Sequence, residues 1–450
     1  MTEEGRSGNL QVPEDVAIKM FAKTLFKSRE TAKLAQLITS RFKIVTMIDN
    51  DEIYIYDRDT GYYRPNGDKT LRKILKKYLE DYYDENMTRE IIHNITASTY
   101  IERKSFKAPE HLIAVKNGVI ELHHNPPTIG LHSPEHYITS VLPVEYNPTA
   151  ICSNFADFLT QILPNEADRT KIQEGFGNSL WTSSSYMICN MLYGEGYNGK
   201  STLLNVLTAL LGRQNISNVS LQALAENRFA PAELYGKLAN IYADIESKEL
   251  RHTGAIKVLT GNDMAMGERK FKTPFFFRPY SKPWFSANRI PYVYDESDAF
   301  FRRWRIIIFK QKFPMRGPKT NPNMLEKLTT PEELSGILNW ALQGLVRITH
   351  QKGFSHLDTV EERRIKWKIM SDSLAAFIND CIEYKDFVSK DDFHQKYAKY
   401  CGSKRLPVMS KTKVGQRLPA LIPEIMVSHP KIGGKQVACW YGIQVKQKCS

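Results

Sequence analysis

Apolar positions recur at helical spacing through residues 15–41, interleaved with Lys19, Lys23, Lys27, Arg29 and Lys33, which read as a solvated helix face. From Phe42 to Tyr63 the spacing changes to alternation. Segments 44–49 and 53–57 flank a turn-like Asn50-Asp51, a pattern that predicts two strands. Helical spacing returns over 69–104. An extended stretch at 111–124 then turns at Asn117-Gly118 in the manner of a hairpin. A Pro-rich polar tract up to Pro148 reads as a linker, and residues 1–14 read as a loose polar leader.

Beyond Pro148, helices and apolar strands alternate: helix 151–163, strand 187–193, helix 200–212, strand 238–244, helix 249–260, strands 271–278 and 283–287, and strand 304–309. Such alternation argues for an α/β core around a largely parallel sheet. Residues 325–370 read as helical and highly charged. A compact block closes the chain, with helices at 373–383, 390–400 and 410–421 and two short strands about Gly433-Gly434. The expected organisation is a leader and helix over 1–34, an α+β domain over 35–150, the α/β core over 151–315, a helical segment or lid over 316–370 and a last domain over 371–450.

With 450 residues there is room for roughly three domains, and 42% hydrophobic with 25% charged residues is globular rather than disordered composition. The net charge of +13 favours an acidic partner such as nucleic acid. Cys152, Cys189, Cys381, Cys401, Cys439 and Cys449 form no CxxC pair. Thiols in a reducing compartment are therefore expected, in place of a zinc site or a disulfide framework. The polar N-terminal segment has no signal-peptide core, and no apolar run approaches the ~18 residues of a membrane span. A soluble protein of the cytoplasm, or of the host-cell cytoplasm, is expected.

The sharpest signal is Gly194-Glu195-Gly196-Tyr197-Asn198-Gly199-Lys200-Ser201-Thr202, which fits G-x-x-x-x-G-K-[ST] between an apolar strand and an amphipathic helix. Glycines let main-chain N–H groups curl around phosphates, where a Cβ would obstruct. The helix N-terminus adds partial positive charge. Lys200 would neutralise the β- and γ-phosphates of ATP, and the Ser201 hydroxyl would ligate Mg²⁺. Hydrolysis needs carboxylates at the end of a neighbouring strand. The apolar run 237–243 supplies Asp244 there, with Glu246 two residues on and so on the same face. One of the two would hold Mg²⁺ and the other would orient or deprotonate the attacking water.

Downstream come Lys257–Asp263, Gly267–Lys272, Phe275–Pro279, Lys282–Asn288 and the run Phe300-Phe301-Arg302-Arg303-Trp304. Together with the phosphate loop, these segments resemble the superfamily 3 helicases, above all the poxvirus-type and the phage- and plasmid-type primase–helicases. The stretch Asn117–Leu122, with Tyr137, Pro143 and Tyr146, resembles the domain that precedes the motor in that family, so the likeness spans roughly 35–445. It implies an AAA+ motor and a C-terminal winged helix. It implies Asn288 as the sensor that hydrogen-bonds the γ-phosphate or the water. Arg302 or Arg303 would be an arginine finger offered to a neighbouring subunit's ATP. Arg269, Lys270, Phe271 and Lys272 would form a pore hairpin, cationic for phosphates and aromatic for stacking. Lys282 is a weaker candidate for reaching the nucleotide across a subunit boundary. Many relatives carry a glutamate pair where Asp244 stands, which leaves the division of roles between Asp244 and Glu246 open.

Helix 410–421 starts at a Ser410 cap and places Lys413 and Arg417 on one face, with Lys411 beside them and Lys435 on the following hairpin. Those residues are the candidate contacts of a winged helix with duplex DNA. Asp57-Arg58-Asp59 resembles the two-metal motif of primases, but it is also a good hairpin turn, and only about 55 residues precede it. The expected protein is a homo-hexameric, ATP- and Mg²⁺-dependent replicative DNA helicase of a virus, plasmid or integrated element. It would track single-stranded DNA 3′ to 5′, open forks and leave priming to a separate primase or polymerase. The rivals are an origin-binding initiator that uses ATP as a switch, and a primase-helicase that itself primes.

Overall fold

The computed structural model describes residues 14–122, 127–313, 323–404 and 406–446. All but the last residue of the leader read at 1–14 lies outside them, as does the first part of the segment read at 316–370. Helices Glu14–Lys27 and Thr31–Arg41 form the first periodic stretch, which breaks at Arg29 with φ 58°. With helices Gly67–Leu79 and Glu85–Ser98 they cover one face of a four-stranded sheet, burying Leu34, Ile38, Leu71, Leu75, Ile91 and Ile95 against Ile53 and Ile55. The sheet's order is Tyr62–Arg64, Ile53–Asp57, Ile44–Met47, Tyr100–Ile101. Asp57 and Asp59 sit at its hairpin turn, where Asp57 accepts the Asp59 N–H at 3.0 Å and pairs with Arg64 at 2.7 Å.

A second sheet runs Thr128–Gly130, Gly118–Glu121, Leu112–Val115, Val141–Leu142. The tract read as a linker is instead part of it. Val141–Leu142 pairs in parallel with Leu112–Val115, and Leu142, Val144 and Tyr146 are buried in the core of the next unit. Their spacing of two is a strand signal that the surrounding prolines obscure.

The chain's centre is a mixed α/β unit around five parallel strands, ordered Ile216–Ser217, Ala239–Tyr242, Lys282–Ala287, Cys189–Tyr193, Trp304–Ile308. Helices cover both faces, as a parallel sheet requires. Leu203, Leu207, Leu210, Ile337 and Ala341 fill one side, and Leu221, Ile256, Phe300, Phe301 and Trp367 the other. Helix Glu166–Ser179, which the periodicity missed, packs along helix Pro331–His350. Gly177 makes this approach possible, because a Cβ there would lie 2.3 Å from the Ala341 carbonyl. Helix 331–350 therefore belongs to the core, and the reading of 325–370 as a charged helical run holds better for helix Val360–Ser371.

Two other readings change. The helix expected over 249–260 is confined to Gly254–Leu259, because Leu250 leaves helical geometry to donate its N–H to the Tyr292 carbonyl at 2.8 Å. The strand expected over 271–278 is a hairpin, Ala265–Gly267 antiparallel to Phe275–Phe277, with residues 268–274 at its tip.

The last unit contains helix Ser373–Cys381, strand Phe387–Ser389, helices Lys390–Ser403 and Lys411–Leu421, and strand Met426–Ser428. A small hairpin, Lys431–Ile432 with Lys435–Gln436, precedes strand Cys439–Tyr441, which pairs between the other two strands. The Ser410 hydroxyl caps its helix as expected, accepting the Lys413 N–H at 3.3 Å. Cys152, Cys189, Cys401 and Cys439 are free thiols, whereas Cys381 takes part in a disulfide. No group of His, Cys, Asp and Glu able to hold a metal by itself, and no helix long and apolar enough to cross a membrane, occurs among the described residues.

Candidate functional site

The loop 194–199 leaves the carboxyl end of strand Cys189–Tyr193 and enters helix Lys200–Leu211. That position is the crevice at which open parallel sheets bind ligands. Gly199 has φ +86°, and a Cβ there would lie 2.6 Å from the Ile162 side chain, so no other residue closes the loop without strain. Nothing lies within 4 Å of a Cβ built on Gly196, which faces open space. Among the described residues, no main-chain N–H from 196 to 202 donates to a carbonyl. These donors, at a positive helix end, form an anion cradle.

Lys200 is 6% exposed and its ammonium donates to the Gly194 carbonyl at 2.6 Å, the Glu195 carbonyl at 3.0 Å and the Asn198 Oδ1 at 3.0 Å. Burial lowers its pKa to about 8, against the opposing pull of Asp244. It also reaches Asn288 Oδ1 at 3.4 Å, and Asn288 Nδ2 donates to Asp244 Oδ1 at 3.3 Å. The sheet order explains this meeting. Strand Lys282–Ala287 lies between the strand of the phosphate loop and the strand of Asp244, so its end holds Asn288 between the lysine and the carboxylate. Phosphate loop, amide and acid, far apart in sequence, thus share one corner.

Glu246 does not join them. Strand Ala239–Tyr242 ends before Asp244, and Asp244 has φ 57°, which breaks the alternation that would have put both carboxylates on one face. The Asp244 N–H is held by the Ser286 hydroxyl at 3.1 Å, a partner that the sequence did not signal. Ser201 and Thr202 follow Lys200 in the first turn of the helix, with Ser201 exposed beside the loop, and exposed Tyr197 takes φ 59°. Glu195 pairs with Lys312, bringing the segment after the last strand against the loop. The residues present therefore fit a phosphate chain with a divalent cation. Ser201 and Asp244 are the oxygens available to the metal, and a cation of the Mg²⁺ type takes few protein ligands.

The two adjacent arginines separate cleanly. Arg303 is 8% exposed and donates to the Ala299 and Lys257 carbonyls. Arg302 is exposed and has no side-chain partner among the described residues. Trp304 pairs with Cys189 at the amino end of the parallel strands, so Arg302 lies at the far end of the sheet from its own phosphate loop. Lys282, weighed as a nucleotide contact, is completely buried and donates to the Trp181, Ser183 and Tyr280 carbonyls at 2.9, 2.5 and 2.8 Å.

At the hairpin tip, Phe271 is fully exposed with φ 60°, and Lys270 and Lys272 are exposed beside it. Arg269 is committed elsewhere. It pairs with Glu52 of the first unit at 3.2 Å and lies over Phe275 at 5.3 Å. In the last unit, Lys413 and Lys435 are exposed. Lys411 pairs with Asp391, while Arg417 is held by Asp372 and lies over the Tyr292 ring at 4.9 Å, packing its helix onto the central unit.

Residues 15–164 match the family model described as D5 N terminal like, and residues 192–303 match a family of unknown function, DUF5906. The chain is 23% identical over 351 residues to "Putative helicase L207/L206" of Acanthamoeba polyphaga mimivirus, covering 72% of this chain and 34% of that protein. It is 25% identical over 304 residues to "Putative helicase 121R" of Invertebrate iridescent virus 3, covering 60% of this chain and 32% of that protein. The chain thus spans about a third of the length of these curated relatives, both viral. An apo structure of the NrS-1 C terminal region aligns over 92% of this chain and 98% of that one, with a TM-score of 0.45 and 11% identity.

Proposed function

We propose that the chain is an ATP-driven DNA helicase motor of viral replication type, an AAA+ core of superfamily 3 that works as a homo-hexameric ring with 3′ to 5′ polarity. The observation that carries this reading is the meeting of Lys200, Asn288 and Asp244 beside loop 194–199 at the carboxyl end of a five-stranded parallel sheet. The viral relatives named as helicases and the match to a D5 N terminal-like model support the same direction.

ATP with Mg²⁺ supplies the phosphoanhydride whose hydrolysis drives the cycle. The main-chain N–H groups of 196–202 and the Lys200 ammonium bind and orient the phosphates, with Gly194, Glu195, Gly196, Tyr197, Asn198 and Gly199 shaping the cradle. Ser201 and Asp244 serve the metal. Asn288, which bonds both Lys200 and Asp244, would sense the terminal phosphate or hold the water. Arg302 serves a neighbouring subunit, where a fixed cation offsets charge that develops in the transition state. Lys270, Phe271 and Lys272 engage single-stranded DNA. The order of helices and strands after Ser373 supports a winged helix, with Lys413 and Lys435 as its accessible cations.

Asp244→Asn keeps the fold and ATP binding while removing the charge that faces the metal. Its hydrolysis rate should fall at least a hundredfold with ATP affinity within a few-fold of wild type. Wild-type hydrolysis by this variant would remove the assignment.

A further inference from the structure

Between the first unit and the hairpin lies a cavity of about 1170 Å³ that the nucleotide reading does not use. It opens at the amino ends of the central strands, beside Lys237-Leu238 and Phe275–Arg278, so the whole sheet separates it from Lys200. We propose that this cavity holds single-stranded nucleic acid, passed between the hairpin tip and the wall built by residues 50–69 and 103–114. The proposal rests on the helicase reading above and gives the first unit a part in the nucleic-acid path.

Its lining carries eight Lys and Arg against three Asp and Glu. Two of the arginines are structural. Arg103 chelates Asp49 through two bonds of 2.7 Å and lies over the rings of Tyr235 and Phe275 at 4.8 and 4.7 Å. Arg269 is tied to Glu52. Between them these contacts fix the hairpin to the first unit and cover the rings of Tyr235 and Phe275, so the ring that the lining leaves open to a base is Phe276, which is 59% exposed. Of the other six, Lys104 and Lys107 pair with Glu102 and Glu110, and Lys237 donates to the Gln214 carbonyl at 2.6 Å. Lys69 on one wall, and Arg278 and Lys272 on the other, are exposed and have no ion pair among the described residues.

Cations on facing walls with aromatic rings between them are the means by which proteins hold an unpaired strand, since phosphates meet the cations and bases meet the rings. Size favours a polymer over a lone nucleotide, because small-molecule pockets run to about 1,000 Å³ and this one is larger. Continuity points the same way. Lys272 belongs both to the cavity and to the tip that carries the fully exposed Phe271.

The test is a titration of the full chain with oligothymidylate across a range of salt, comparing wild type, Lys69→Ala/Arg278→Ala and Phe271→Ala, with thermal unfolding to confirm that each is folded. The double variant should bind on the order of tenfold more weakly at low salt. Its salt slope should be shallower by about 1.4, since each lost phosphate contact on a single strand accounts for roughly 0.7. Phe271→Ala should weaken binding without changing the slope. A folded double variant with wild-type affinity and slope overturns the cavity proposal and leaves the helicase reading standing. Equal loss on duplex and single-stranded DNA overturns it as well, because a general charge effect then suffices. A wild-type chain that binds no single-stranded DNA at any salt overturns both.

Discussion

Arg302 and Arg303 are adjacent, yet truncating them should give opposite phenotypes. Arg303 is buried and its guanidinium donates to the carbonyls of Ala299 and Lys257, joining helix Asp298–Phe301 to helix Gly254–Leu259. Arg303→Ala leaves both carbonyls without their charged donor and opens a cavity, at a cost of about 3 kcal/mol. The Arg302 carbonyl accepts from Arg363 at 2.6 Å, but its side chain has no partner among the described residues, so Arg302→Ala should change stability by no more than about 0.5 kcal/mol. Its effect should be on turnover instead. Strand Cys189–Tyr193 separates Arg302 from its own phosphate loop, and at about 3.3 Å per residue that is roughly 15 Å along the strand. An arginine at that distance acts on a neighbour's phosphates or on none. Loss of a finger in trans lowers hydrolysis by about 10³-fold or more. Chemical denaturation measures the first effect and steady-state ATPase the second. Mixing Arg302→Ala with Lys200→Ala subunits supplies the discriminating result, because an intact loop then meets an intact finger across the boundary and activity should reappear. If Arg302→Ala hydrolyses ATP at the wild-type rate, or if mixing restores nothing while mixed rings form, the reasoning from position fails.

Two further expectations concern lysines whose pKa burial depresses. Lys200 is held to about 8, so it is cationic below that pH and neutral above it. ATP affinity should therefore weaken as pH rises through 8, approaching tenfold per unit, and a pH-independent Kd between 7 and 9.5 would contradict the assigned role. Lys282 is held to about 7 by burial, with Glu110 opposing, whereas the unfolded side chain titrates near 10.4. The unfolded state thus binds the extra proton above pH 7, and stability should rise with pH from 7 to 8 by at most about 1.4 kcal/mol. Lys282→Met should flatten that rise in denaturant titrations without reducing ATPase, since the residue is enclosed in its own chain.

What could be read ahead of the structure follows from how local each signal is. Loop 194–202 is legible because its chemistry is contiguous, whereas Asn288 is singled out by the resemblance and not by any local pattern. The meeting of Lys200, Asn288 and Asp244 depends on strand order, which no local pattern encodes. The separation of Asp244 from Glu246 was hidden because alternation presumes extended backbone, and Asp244 takes φ 57°. Helix Glu166–Ser179 escaped notice because residues 171–179 are all buried, which erases the polar face that periodicity depends on. Arg269 and Arg417 have the composition of nucleic-acid contacts, but Glu52, 217 residues away from Arg269, and Asp372 with Tyr292 engage them. Net charge identifies a basic surface and leaves open which of its cations are already paired.

The most direct test of the motor reading is the ATPase rate with and without single-stranded DNA, for wild type and Lys200→Ala, measured alongside unwinding of a forked duplex. Hydrolysis that single-stranded DNA stimulates, forks that open, and loss of both in Lys200→Ala are the expected results. Wild-type protein that binds ATP but is indifferent to DNA and leaves forks closed would contradict the motor reading and favour an ATP-switched initiator.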